Sequence, residues 1–227
     1  MKRTVGILTL CFLLAIYSCH VMAAPPQKGS VYCRNTSHVK QIALSFDDGP
    51  HPRYTKEILS ILKEYGISAT FFVIGINAEL YPETLKMVAD AGCEIGNHTY
   101  SHDRLANRSE EQIRLEIEKC QRVVQELVGI RPVLFRPPQG ATSESVKVVS
   151  RKMDYDIILW SIDTRDWEHT PKEQIVETVR SQVKGGDIIL MHDYVSGGNA
   201  TCESLRILIP ELLSKGYEFV TVSQLIN

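Results

Sequence analysis

The stretch IALSFDDGP at residues 42–50 decides how the chain is read, because the apolar run Ile42–Phe46 stops on two carboxylates, a glycine and a proline. A short apolar run bounded by turn residues reads as a strand. Outward from it the pattern repeats to the end of the chain: an apolar run, a polar loop, then an amphipathic stretch. The further runs are Ala69–Ile74, Cys93–Ile95, Val133–Phe135, Tyr155–Trp160, Ile188–Met191 and Phe219–Val222, with helical periodicity near 54–65, 82–91, 109–128, 142–152, 171–183 and 202–215. Seven strand-like runs alternating with helices predict parallel strands joined by helical crossovers. Periodicity alone leaves two architectures, an open doubly wound sheet or a (β/α) barrel.

Several helix boundaries carry their own mechanism. Ser109 and Gln112 form a capping box; Ile113, Ile117, Cys120, Val124 and Leu127 then mark one face, and Gly129 ends the helix. Thr170-Pro171-Lys172-Glu173 reads as a second box with proline at the first helical position. Gly66, Gly92, Gly185 and Gly216 are expected to stop other helices.

Ahead of the repeating pattern, Lys2 and Arg3, the apolar run Val5–Tyr17 and the small residues up to Ala24 have the layout of a secretory leader over residues 1–23. A retained membrane anchor and lipidation at Cys19 are the alternatives. Residues 24–40 read as a polar lead-in and 41–227 as one domain. The 227-residue chain carries a net charge of −2, moving to −4 once Lys2 and Arg3 leave with the leader. Its charges are scattered, which argues against nucleic acid as a partner. After cleavage no stable membrane span is expected, and the protein is placed outside the cell or in the periplasm or envelope. Of six cysteines, Cys33, Cys93, Cys120 and Cys202 remain. An even number in an exported chain permits disulfides without choosing a pairing. Cys93 and Cys120 fall at apolar-periodic positions that suit buried thiols.

Five polar clusters begin at or just after the expected strand ends: Asp47-Asp48-Gly49, His98 to His102, Arg136-Pro137-Pro138, Asp163 to Trp167, and His192-Asp193. In a barrel all parallel strands open on one face, so these clusters would share a cleft, and they favour the barrel over the open sheet. Asp47 and Asp48 are neighbours whose side chains point to opposite sides of a strand, which gives them different jobs, although Asp-Asp-Gly-Pro is also good turn chemistry. His98 and His102, with one carboxylate, make a two-His-one-carboxylate metal site with open positions. Each could equally serve its own loop. His192 ends an apolar strand, where Asp166 could fix its tautomer and raise its pKa. Arg136, stiffened by two prolines, could hold a carboxylate or lie in a surface ion pair. His51 and His169 read as surface or supporting residues, and Trp167 and Leu190 could be plain core.

Taken together, FDDG (46–49), HTYSH (98–102), FRPPQG (135–140), DTRDW (163–167) and ILMHD (189–193) resemble the NodB-like polysaccharide deacetylases, carbohydrate esterase family four. All five motifs stand in family order, and Phe219–Leu225 resembles the family's closing strand. The resemblance implies a single-domain, distorted (β/α) barrel of about seven parallel strands. It implies Asp47 as general base; Asp48, His98 and His102 as ligands of a divalent metal, most often zinc, with cobalt or another transition metal possible; Arg136 holding Asp47; and Asp166 orienting His192 as general acid. Trp167 and Leu190 would shape the niche for an acetyl methyl group. The loop at Pro137 and Gln139 would touch substrate, with the Gln139 N–H at the oxyanion. The implied partner is a chitin-type or peptidoglycan-type carbohydrate. Gln139 stands where the family most often has tyrosine, which leaves sugar preference open. The alternatives are O-deacetylation of a polymer such as xylan, or a catalytically silent carbohydrate-binding relative.

Overall fold

The computed structural model describes residues 29–35, 37, 40–195 and 200–227. The expected leader and Cys19 lie outside these residues. Along the chain run β1 (Val31–Tyr32), β2 (Gln41–Asp47), α1 (Tyr54–Tyr65), β3 (Thr70–Val73), α2 (Gly75–Leu80), α3 (Pro82–Asp90), β4 (Glu94–Asn97), α4 (Glu110–Val128), β5 (Leu134–Phe135), α5 (Glu144–Lys152), β6 (Asp156–Ile158), β7 (Ile162–Asp163), α6 (Lys172–Gln182), β8 (Ile188–His192), α7 (Ala200–Ser214), β9 (Glu218–Phe219) and α8 (Val222–Ile226). Among the described residues no helix is long and apolar enough to cross a membrane.

The strands pair in parallel in the order β1-β6-β5-β4-β3-β2-β8-β7, with β9 added beside β2. That order forces curvature. In a flat sheet β6 and β7 would stand six strand spacings apart, roughly 29 Å at about 4.8 Å each. Only Leu159–Ser161 join them, a reach of about 14 Å for an extended chain. The sheet therefore rolls until its two ends meet across this short link, giving a distorted, incompletely closed (β/α) barrel.

Alternation along the strands then sorts side chains into inside and outside. On β2, Ile42, Leu44 and Phe46 pack outward with Ile58 and Leu62 of α1 and Leu205 and Leu208 of α7. Ala43 points inward, and Ser45 and Asp47 share its parity. On β8, Ile189 and Met191 face out; Ile188, and by the same parity Leu190 and His192, face in. The floor of the barrel is apolar, made by Ala43, Phe72, Leu134, Ile158 and Ile188 with Val220, Val222 and Leu225. α8 is latched beneath it: Val222 N–H donates to Thr70 Oγ1 at 2.9 Å, and the Ser223 N–H and hydroxyl both donate to Glu94.

The expected strands form, some of them shorter or shifted by a residue or two. β7, a two-residue strand too brief to show a period, was not anticipated, nor were α2 and α8; β1 falls within residues 24–40. Phe219–Leu225 is not one strand. Only Glu218–Phe219 pairs with β2, because Thr221 and Gln224 make a reciprocal capping box that starts α8. The box at Ser109 forms, as does the left-handed Gly129 cap. The one at Thr170 does not: its hydroxyl donates to the Arg165 carbonyl at 2.7 Å, and Pro171 occupies the cap position. α6 stops at Gln182 with Val183 extended, ahead of Gly185, and the left-handed residue there is Gly186. Cys33, Cys93, Cys120 and Cys202 are free thiols, the last three buried.

Leu225 is fully buried in the barrel floor. Leu225→Ala should cost about 2–5 kcal/mol, the range for emptying a core leucine site, read as a lower urea midpoint at unchanged slope. A loss below about 1 kcal/mol would show that α8 is no plug.

Candidate active site

Because all strands of the barrel run parallel, their C-terminal ends deliver side chains to one mouth. β2 ends on Asp47, paired across the ladder with His192 at the end of β8. The next residue, Asp48, turns out of the strand with φ 76°. His98 follows β4 directly, and His102 returns from the following loop with φ 61°.

Asp48, His98 and His102 each present one ligand atom, all within 4.8 Å of one another. Asp48 Oδ1 lies 3.4 Å from His98 Nε2 and 3.3 Å from His102 Nε2. His98 Nδ1 meets the Arg136 carbonyl at 2.6 Å; a proton on Nδ1 makes that bond and leaves the Nε2 lone pair facing the cluster. Asp48 Oδ1 is buried and accepts no hydrogen bond, an arrangement that costs free energy unless something else meets it. Burial raises the Asp48 pKa, but the close approach and charge of His98, with the charges of His192 and His102, outweigh it and hold the group at about 2. Burial lowers the His98 pKa, yet Asp47 and Asp48 overcome it and the net shift is upward. Burial and neighbouring His98 keep His102 below its usual value. An ionised carboxylate with an orphaned oxygen, beside an imidazole that draws in a proton, is a site short of one positive charge. Two imidazole nitrogens and one carboxylate oxygen fit a divalent transition metal with open positions.

Arg136 lies across the barrel interior, fully buried. Its Nη1 donates to Asp47 Oδ1 at 2.7 Å and to Ser45 Oγ at 3.0 Å; Nε and Nη2 donate to the carbonyls of Ile158 and Leu159. The Phe72 ring lies 4.0 Å beneath the guanidinium. Asp47 is thereby fixed by one oxygen, while Oδ2 points toward His98 Nε2 at 3.7 Å.

On the other side, His192 Nδ1 meets Asp166 Oδ1 at 2.7 Å. Asp166 also accepts from the His192 N–H at 2.8 Å, from Thr201 Oγ1 at 2.7 Å and from the Trp167 N–H at 3.1 Å. Burial works against protonating His192, but the hydrogen bond and charge of Asp166, with Asp47 and Asp48, raise its pKa to about 9.

The remaining sequence candidates are distributed around this mouth. Leu190 is buried, one inward position below His192. Trp167 is 51% exposed. Pro137 precedes a tight turn, Pro138–Gly140, in which Gln139 is left-handed at φ 59°. That turn is closed by the N–H groups of Gly140 and Ala141, and among the described residues the Gln139 N–H has no acceptor. His169 is exposed; His51 serves its own loop, Nδ1 accepting from the Arg53 and Tyr54 N–H groups.

Several supports escaped sequence reasoning. Asn77, on the unanticipated α2, donates to the Asp48 carbonyl at 2.7 Å. Glu116 of α4 takes the Tyr100 and Ser101 N–H groups and the Ser101 hydroxyl, pinning the loop between the two histidines. Thr201 and Trp160 also reach the site, Trp160 with its ring 5.7 Å from the Arg136 guanidinium. None stands in a polar cluster of its own, so only the tertiary structure reveals them.

A family model described as Polysaccharide deacetylase matches residues 34–158, the span that holds Asp47, Asp48, His98, His102 and Arg136. The chain belongs to the polysaccharide deacetylase family. It is 40% identical over 190 residues to a peptidoglycan-N-acetylglucosamine deacetylase of Bacillus cereus, across 83% of this chain and 89% of that one. It is 41% identical to the peptidoglycan-N-acetylmuramic acid deacetylase PdaC of Bacillus subtilis, across 82% of this chain but 38% of that longer protein. The crystal structure of the Bc1960 peptidoglycan N-acetylglucosamine deacetylase superposes with a TM-score of 0.82 at 35% identity, covering 87% of this chain and 92% of that one. The protein is thus a polysaccharide deacetylase.

Replacing Arg136 by methionine should strand Asp47 in the barrel without its partner. Breaking one side of such a buried pair costs about 3–5 kcal/mol. A thermal or urea midpoint near that of the wild type would contradict the burial described for this pair.

Proposed function

We propose that this deacetylase hydrolyses N-acetyl groups on an amino-sugar polymer of the peptidoglycan or chitin type, with Asp47 as base, His192 as acid and a divalent cation, zinc foremost, on Asp48, His98 and His102. The observation that carries the reading is the pairing of Asp47 and His192 on adjacent strands, inward-facing beside the ligand cluster. Such a cation would polarise the acetamide carbonyl and acidify water.

Asp47, oriented by Arg136, accepts the proton of the attacking water at Oδ2, the oxygen not engaged by the guanidinium. His192, kept protonated by Asp166, donates from Nε2 to the departing amine. The Gln139 N–H offers a donor for the oxyanion that forms as water adds. Leu190 and Trp167 border the acetyl methyl group, and Pro137 and Gln139 meet the sugar. Export by a leader over residues 1–23, ahead of a domain beginning near residue 41, would bring the enzyme to such a polymer outside the cytoplasm. The intact base, acid and ligand set speaks against a silent carbohydrate-binding protein.

Acetate release measured in parallel on peptidoglycan, chitin oligomers and acetylated xylan tests the substrate class. Release from the first two should be abolished by a chelator and restored by zinc; turnover surviving complete metal removal would refute the role of the cluster, and release from xylan alone would refute N-deacetylation. Asp47→Asn and His192→Ala should each lower kcat by about 10²–10⁴-fold while zinc stays bound. Near-normal turnover in either would reassign base or acid.

His192 must be protonated to act, so activity should fall as pH rises through its pKa. Asp166→Asn removes the carboxylate charge that helps raise this pKa. The alkaline limb of kcat/KM should therefore move to lower pH, and an unmoved limb would separate it from His192.

A further inference from the structure

Asp193 takes no part in the chemistry above, yet it is buried beside the catalytic turn. It is 1% exposed, its Oδ1 is buried with no hydrogen-bond partner, and its Oδ2 accepts from Thr55 Oγ1 at 2.5 Å. Thr55, on the first turn of α1 and fully buried, accepts in turn from the His51 N–H at 2.7 Å. The Asp193 N–H donates to the Asp47 carbonyl at 3.1 Å. The carboxylate also fills the space beside Gly49, where any Cβ would overlap it.

We infer that Asp193 and Thr55 form a clamp that positions the Asp47–Gly49 turn, and so sets the aim of Asp48 at the cation. The turn needs one. Asp48 is left-handed at φ 76°, a conformation that persists in a non-glycine residue only where its surroundings over-determine it. Three consecutive carbonyls are tied down: Asp47 by the Asp193 N–H, Asp48 by Asn77 and Gly49 by the Ile74 N–H. The clamp closes the last open side, joining the far end of the turn at His51 to the end of β8 through two buried side chains. It thus couples the loop carrying base and ligand to the strand carrying the acid, and glycine at position 49 is what lets the carboxylate approach. Asp193 and Thr55 touch neither cation nor substrate; they act as positioning residues.

The inference rests on Asp48 being a cation ligand, and the deciding experiment needs no sugar. Zinc affinity is measured by chelator competition on the full-length protein and on Thr55→Val, Thr55→Ser, Asp193→Ala and the Thr55→Val/Asp193→Ala double variant. Thr55→Val keeps the shape and loses both hydrogen bonds; Thr55→Ser keeps them. The zinc Kd should rise about 10–100-fold in Thr55→Val and Asp193→Ala, the range for an outer support of a metal ligand. It should stay near wild type in Thr55→Ser, and in the double variant exceed neither single, because the two residues act as one unit. At saturating zinc the Thr55→Val variant should show lowered kcat with unchanged KM. Wild-type zinc affinity in Thr55→Val, equal loss in Thr55→Ser, additive losses in the double variant, or a Thr55→Val chain that does not fold would each overturn the clamp. Failure of the wild type to bind zinc would instead overturn the cation site itself.

Discussion

The buried ion pair between Arg136 and Asp47 is the constraint on which the site depends. A rolled sheet that fails to close leaves backbone carbonyls facing inward at the seam, and Ile158 and Leu159 supply two of them. Water could satisfy these only by flooding the barrel. A guanidinium satisfies them from within, since its planar fork presents five donors at fixed angles. Once a cation is buried there it requires a counter-charge, and Asp47 provides it. The residue that repairs the seam thereby also fixes the direction of the Asp47 carboxylate. Lysine, a point charge with no fork, could not span two carbonyls, a serine and a carboxylate together.

The interior is therefore stratified. Below Arg136 the barrel is filled by apolar side chains and stopped by α8; above it stand the polar and ionisable groups Asp47, Asp48, His98 and His192, with Leu190 among them. Phe72 lies at the boundary, packed in the apolar floor on one side and beneath the guanidinium on the other. Gly96 leaves room for that ring, since a Cβ there would overlap it. This layering places charged groups in a region of low dielectric, where each partner counts for more than in water. It explains why Asp166 can hold His192 protonated, while Asp48 stays ionised a short distance away.

Much of this was legible in the sequence, for a definable reason. Ile42–Phe46 and Ile188–Met191 are long enough to declare themselves as strands, and each ends on its chemistry, so the convergence of Asp47, Asp48 and His192 followed from parallel topology. The Arg136 and Asp166 roles came from resemblance, and geometry supplies partners for both. What stayed hidden was either too short to carry a period, as with the two-residue β7, or distant in sequence from the motif it supports. Thr55, Asn77, Glu116 and Thr201 act on motifs up to 138 residues away, and each looks like an ordinary helical residue in its own context. Thr170 shows the converse: a well-formed local capping pattern lost to the nearby Arg165 carbonyl, which offered its hydroxyl a better partner. Trp167 shows a further limit, since sequence could not anticipate how exposed its ring would be.

The backbone carries the same division of labour. Asp48, Thr99, His102, Gln139 and Arg165 all have positive φ, and all follow β2, β4, β5 or β7 at the mouth of the barrel. Such residues cost on the order of 1–3 kcal/mol each, with β-branched Thr99 the hardest to accommodate. Asp154, at the opposite end, is a short polar residue that tolerates this region more readily. The concentration at the mouth has a geometric cause. A strand end that must turn its next side chain back over the barrel axis, within one or two residues, has no extended conformation that does so. Thr99 illustrates how the cost is met: its N–H donates to Asn97 Oδ1 and its hydroxyl accepts from the His102 N–H. The residue under strain thus fixes the second histidine of the cluster. Strain and chemistry coincide here because both arise from aiming side chains inward at the end of a parallel strand.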